Sequence, residues 1–157
     1  MTFTSQQQLD PADTSARRRG VSVALAAAAV AAAVTAGPTA LTVARAGTNL
    51  PTTAVAVAWG RAHDGRCDVH GDLTVTCASM HGGYAHAGTT FGNTWLYGDL
   101  GGPDRHRHES RHSDQWAMFG VTFPALYGTE CARTGGDAHR NVFERWAGLR
   151  DGGYSTR

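Results

Sequence analysis

The chain has 157 residues and a formal net charge of +1, and all 14 of its basic residues are arginine. That length suits one domain rather than two. From Gly47 onward 10 arginines stand against 11 acidic residues, so this part has no basic stripe, which excludes nucleic acid as an expected partner.

Residues 1–16 are polar and aperiodic, and Arg17-Arg18-Arg19 then precede an apolar, alanine-rich run over residues 20–36. A basic segment followed by an apolar one is the pattern of a secretory signal. Small residues allow cleavage before Gly37 or before Gly47, and the second is preferred. The division expected is an export segment over 1–46 and a folded domain over 47–157. The paired arginines leave twin-arginine export open. The location expected is secreted or cell-envelope. The alternative is a membrane anchor through residues 20–36, although about 17 apolar residues is short for a span and alanine is only weakly hydrophobic.

Residues 53–59 alternate β-branched and small apolar side chains and predict a first strand. Residues 60–65 read as a turn and 73–78 as a second strand, with Cys67 and Cys77 bracketing the turn between them. A Cys67–Cys77 disulfide across that hairpin is expected, which leaves Cys131 over; three cysteines allow three single bridges. Thiolate ligation of zinc is the weaker reading, because no Cys-x-x-Cys pair is present. Residues 89–98 predict a third strand with a bulge or close approach at Gly92-Asn93.

Gly101-Gly102-Pro103-Asp104 signals a helix start with Asp104 as N-cap. The helix is expected over 105–119, ending at Gly120. Residues 128–137 read as an irregular loop and 141–149 as a second helix. Trp59, Trp95, Trp116 and Trp146 are expected in the core of so small a domain.

Histidine is the anomaly in the composition: all eight lie after residue 60. Three of them belong to or flank the run His108-Glu109-Ser110-Arg111-His112. On a helix, positions i and i+4 stack on one face, so His108 and His112 can hold one cation, with Glu109 beside them to accept a proton from water. Zinc at such a site lowers the pKa of bound water and polarises a carbonyl. A third protein ligand is required, and Glu144 on the second predicted helix is the leading candidate, with His139, Asp114 and Glu130 as alternatives. Asn93, Asp114 and Gln115 are candidates to orient a ligating imidazole. Tyr127, His86 and His139 are candidates to stabilise a developing oxyanion.

His108-Glu109-x-x-His112-x-x-Gln115-Trp116, followed by Asn141-x-x-Glu144-x-x-Ala147, resembles the glutamate-type zincins, the gluzincins. It most closely resembles small bacterial His-Glu-x-x-His-x-x-Gln domains of the kind attached to contractile injection systems. The resemblance covers roughly residues 85–150. It implies an α+β zincin-like fold, a small antiparallel or mixed sheet followed by the motif helix and a second Glu-bearing helix. It also implies Zn2+ on His108, His112 and Glu144, Glu109 as general base, and a peptide or protein substrate laid along a strand edge near 91–97. Arg105 and Arg107 stand where apolar residues are the family habit. The function expected is an exported zinc hydrolase, a metallopeptidase by resemblance. The alternative is a zinc-stabilised binding module without turnover, tethered to a membrane if the N-terminus is retained.

Overall fold

A computed structural model describes residues 39–85, 87–99 and 103–155. The apolar run 20–36, and with it the signal or anchor reading, lies outside the described residues. Among the described residues no helix is long and apolar enough to cross a membrane.

The architecture is α+β. Helix α1 (Ala40–Ala62) precedes strands β1 (Arg66–Val69), β2 (Val75–Ala78), β3 (Thr89–Phe91) and β4 (Thr94–Leu96). Helices α2 (His106–Phe119), α3 (Phe123–Thr134) and α4 (Val142–Ala147) follow. The four strands form one mixed sheet in the order β1-β2-β4-β3. β1 and β2 are antiparallel with Cys67 opposite Cys77, β2 and β4 are parallel, and β3 and β4 are antiparallel.

The first expected strand is helix instead: residues 53–59 belong to α1. Alternating valine and alanine fit either period, and alanine is the best helix former. The face α1 buries is polar or small, with Asn49, Ala56 and Gly60 inward, so no large apolar stripe advertises it. Small size lets the helix lie close on the sheet. A Cβ at Gly60 would stand 2.8 Å from both Cβ and Sγ of Cys77. Pro51 sits within the helix. α1 also runs through the expected 46/47 boundary. Arg45, on its early part, donates to Ser110 Oγ and Asp114 Oδ1, each at 3.0 Å, and to the Asp72 carbonyl.

The Cys67–Cys77 disulfide is formed, and Cys131 is free. The third expected strand is a hairpin, because Gly92 (φ 61°) and Asn93 turn the chain between β3 and β4. A two-residue turn opening on a positive-φ glycine is favoured between twisted strands. β4 is therefore interior and β3 is one edge of the sheet, with β1 the other. The strand edge expected near 91–97 lies at residues 89–91 instead, and there the Thr90 carbonyl accepts from Trp116 Nε1 at 2.9 Å.

The motif helix matches its expected span and ends at Gly120, whose backbone N–H bonds to the Trp116 carbonyl. Asp104 is not its cap. Asp104 lies in a 3-10 turn over Pro103–Arg105, and Arg105 occupies the cap position without a side-chain hydrogen bond. The expected loop over 128–137 is mostly helix α3. Pro124 fits its first turn, where no N–H is required, and Phe123, Tyr127 and Thr134 face inward at helical spacing. The second expected helix is shorter than 141–149. Asn141 caps it by accepting from the N–H groups of Phe143 and Glu144, and it ends at Ala147.

Two apolar clusters result. Ala56, Val75, Cys77, Met80 and Leu96 fill the space between α1 and the sheet. Trp116, Phe123 and Phe143, with Phe91, Phe119 and Tyr127 against them, join the three later helices. Trp95 and Trp116 are buried as expected, whereas Trp59 and Trp146 are 48% and 44% exposed.

Candidate metal centre

α2 places His108 and His112 one turn apart, both buried, with Nε2 atoms 3.1 Å from each other. α4 is only six residues long, and burial of Phe143 and Ala147 turns the intervening Glu144 into the domain. Its Oε2 lies 3.3 Å from His108 Nε2 and its Oε1 lies 3.6 Å from His112 Nε2. Two nitrogens and a carboxylate thus converge on one point, although 32 residues separate Glu144 from His112.

Hydrogen bonds fix the state of both rings. His108 Nδ1 is 3.1 Å from the Gly148 carbonyl, which can only accept. His112 Nδ1 is 2.8 Å from Gln115 Oε1. The Gln115 amide cannot be turned over, since its Nε2 must donate to the Phe143 carbonyl at 2.9 Å. Both Nδ1 atoms therefore carry a proton, and whenever the rings are neutral both Nε2 lone pairs aim at the same point. The 3.3 Å approach of His108 Nε2 to Glu144 Oε2 is then a meeting of two acceptors. Consistently, Glu144 Oε2 is buried with no hydrogen-bond partner. Such a convergence is repulsive unless positive charge sits at its centre.

The donor set fits a metal ion. Ligand atoms 2.0–2.2 Å from a tetrahedral zinc stand about 3.3–3.5 Å apart, close to the three separations found here. His108, His112 and Glu144 are also the one group among the described residues whose donor atoms come within 4.8 Å of one another. Without metal, protons meet the same demand. Burial disfavours a charged His108, but Glu144 and Glu109 outweigh it and raise its pKa above the ordinary value. Burial likewise opposes ionisation of Glu144, yet His108, His112 and Tyr127 hold its pKa down to about 2. Tyr127 donates its hydroxyl hydrogen to Glu144 Oε1. Burial and the Glu144 charge raise the pKa of that phenol, so it stays protonated.

Comparisons with protein-family models, curated proteins and solved structures return no match. The likeness to gluzincins therefore rests on the motif residues alone.

Glu109 stands outside the ligand group but lines the same cavity, of about 690 Å³, as His108, His112 and Glu144. Thr90 Oγ1 donates to Glu109 Oε2 at 2.6 Å, which tethers the carboxylate to the edge strand. The other ligand candidates lie elsewhere. Asp114 pairs with Arg45, Glu130 pairs with Arg133 and accepts from the Val142 N–H, and His139 packs against Tyr154. Of the candidate orienting groups, Gln115 holds His112. Asn93 instead ties the sheet to α1 through Asn49 and Thr53. His86 lies outside the described residues.

Sequence reasoning missed the C-terminal segment. Gly148 supplies the carbonyl for His108, and Gly152 lies against the same ring, where a Cβ would stand 2.8 Å from Cε1 and Nδ1. The ring of Tyr154 closes over His108 at 6.0 Å between centroids. Gly152-Gly153 was the available signal, since paired glycines mark close backbone approach as readily as a loose tail.

Proposed function

We propose that this chain is a zinc-dependent peptidase of gluzincin type, with His108, His112 and Glu144 as ligands and Glu109 as general base. One observation carries the reading: two Nδ1-protonated imidazoles and a carboxylate with an unpartnered oxygen converge at zinc spacing. Three protein ligands beside a cavity leave a position for water, whereas structural zinc sites close with four. That difference favours turnover over a purely structural metal.

When bound there, zinc supplies a water of lowered pKa and polarises a substrate carbonyl. The chain's own groups do the rest. Glu109 takes the proton of the attacking water and returns it to the leaving amine, with Thr90 keeping one of its oxygens in place. Gln115 and the Gly148 carbonyl hold the two rings in the ligating tautomer. Export is part of the proposal, supported by the basic-then-apolar N-terminus and by the Cys67–Cys77 bridge, since disulfides persist in oxidising compartments.

Elemental mass spectrometry of the purified full chain tests the metal. One zinc per chain is expected, lost from His112→Ala and from Glu144→Ala. Iron in its place would redirect the chemistry, because two histidines and a carboxylate also suit ferrous oxygenases. Glu109→Gln should keep the zinc and lose hydrolysis of a mixed fluorogenic peptide library. Undiminished hydrolysis in that variant would refute the role given to Glu109.

A further inference from the structure

We propose that Arg105 sets the substrate class of this site: its guanidinium receives a carboxylate on the peptide, one or two residues from the scissile bond. The inference rests on the peptidase reading above and deepens it.

Arg105 stands at the cap position of α2 and lines the same cavity as His108, Glu109 and Glu144. Among the described residues it is the only arginine in that lining. The other arginine that departs from the family habit, Arg107, is turned to solvent. Neighbouring arginines are engaged: Arg111 holds Asp151 and the Ala147 carbonyl, and Arg45 holds Asp72 and Asp114. The Arg105 guanidinium has neither an ion-pair nor a hydrogen-bond partner among the described residues. Glu109, one turn along, is its natural partner by spacing, but that carboxylate is taken by Thr90. The guanidinium lies against Gly153, where a Cβ would stand 3.2 Å from Nη2.

A half-buried cation without a partner among the described residues, in a wall that includes Phe91, Phe123, Pro124 and Tyr127, selects for an anion. A divalent ion and Arg105 against Glu109 and Glu144 leave the cavity with one net positive charge. A planar guanidinium fits a carboxylate in bidentate fashion. Residues three apart on a helix have Cβ atoms about 5–6 Å apart, and each residue of an extended peptide advances about 3.3–3.6 Å. Arg105 therefore reaches one or two residues beyond a carbonyl held at the metal centre. That carboxylate is either the peptide's own C-terminus or an acidic side chain.

Three peptide hydroxamates sharing one apolar sequence separate the outcomes. The first has a free C-terminal carboxylate, the second is amidated, and the third is amidated with glutamate as its last residue. Binding to the zinc-loaded full chain is measured by calorimetry for the parent, Arg105→Gln and Arg105→Lys, with zinc content recorded for each. A carboxylate should tighten binding about ten- to hundredfold over the neutral amide. Arg105→Gln should abolish that advantage with zinc retained, and Arg105→Lys should keep part of it. An advantage confined to the first compound assigns the C-terminus, and one shared with the third admits acidic side chains. Equal binding of all three by the parent would overturn the role of Arg105 while leaving the metal reading intact. An advantage that survives in Arg105→Gln would do the same. A parent that takes up no zinc on loading and binds none of the three would overturn both readings together.

Discussion

Replacing Gln115 by alanine tests how the site is held, because this side chain is fully buried and works at both ends. It accepts from His112 Nδ1 and donates to the Phe143 carbonyl. Truncation leaves the His112 N–H without a partner, at about 1–3 kcal/mol, and takes one of two donors from the Phe143 carbonyl, which keeps its bond within the helix. A loss of about 1–4 kcal/mol in the free energy of unfolding follows, part of it recoverable if water fills the space. A second effect is specific to the metal. Once Nδ1 has lost its acceptor, His112 can place its proton on Nε2, and removal of such an orienting partner costs about ten- to hundredfold in metal affinity. Urea unfolding of the metal-free protein reads the first effect, and competition with a chromophoric chelator reads the second. Gln115→Glu separates them. Its carboxylate still accepts from His112 but cannot donate to Phe143, so it should lose stability and keep most of its zinc affinity. Parent-like zinc affinity in Gln115→Ala would refute the tautomer assignment on which the metal centre is built.

Gly152→Ala should weaken zinc binding by about tenfold, because the new methyl group would stand 2.8 Å from the His108 ring and must displace it; chelator competition beside Gly71→Ala, where nothing lies within 4 Å of the added carbon, shows whether the effect is local. Acid should destabilise the metal-free domain through Asp72. Burial pushes its pKa up, but hydrogen bonds from Thr74 and Ser110 outweigh that and leave it below the ordinary 3.8. A depressed folded pKa contributes stability that is complete above the unfolded value and lost as pH falls through the folded one. Urea midpoints from pH 6 down to 3 should therefore fall less steeply in Asp72→Asn than in the parent, and parallel curves would remove Asp72 from the account.

The residues proposed as metal ligands were the most legible part of the molecule. His108, Glu109 and His112 declare themselves because the spacing i, i+4 has one geometric meaning on a helix, and the motif lies where caps and apolar residues allow a helix. Glu144 was legible in a weaker sense. It was one of few downstream carboxylates, and the apolar residues around it implied an inward-turned helix, but Asp114, Glu130 and His139 had comparable chemistry. Contacts decided among them: Arg45 and Arg133 engage the first two, and Tyr154 packs on the third.

Helix α1 was illegible for a physical reason. Its buried residues are asparagine, alanine and glycine, and exposed Val55 and Trp59 reproduce the alternation of a strand. Close packing of small residues leaves no hydrophobic period to read. Helix α3 is hard to read because Gly128 interrupts it and only Phe123, Tyr127 and Thr134 turn inward, while Pro124 fits its first turn.

By itself, then, the sequence determined the chemistry available: two imidazoles on one helical face, a carboxylate beside them, and a pair of cysteines close enough to bridge a hairpin. Only the tertiary structure decided which carboxylate meets the two imidazoles. It also decided which proton each ring carries, and that an arginine before the motif faces the cavity. Local spacing constrains residues one turn apart, but a ligand 32 positions away and a carbonyl at Gly148 are brought in by burial of Phe143 and Ala147, and no short-range pattern records that.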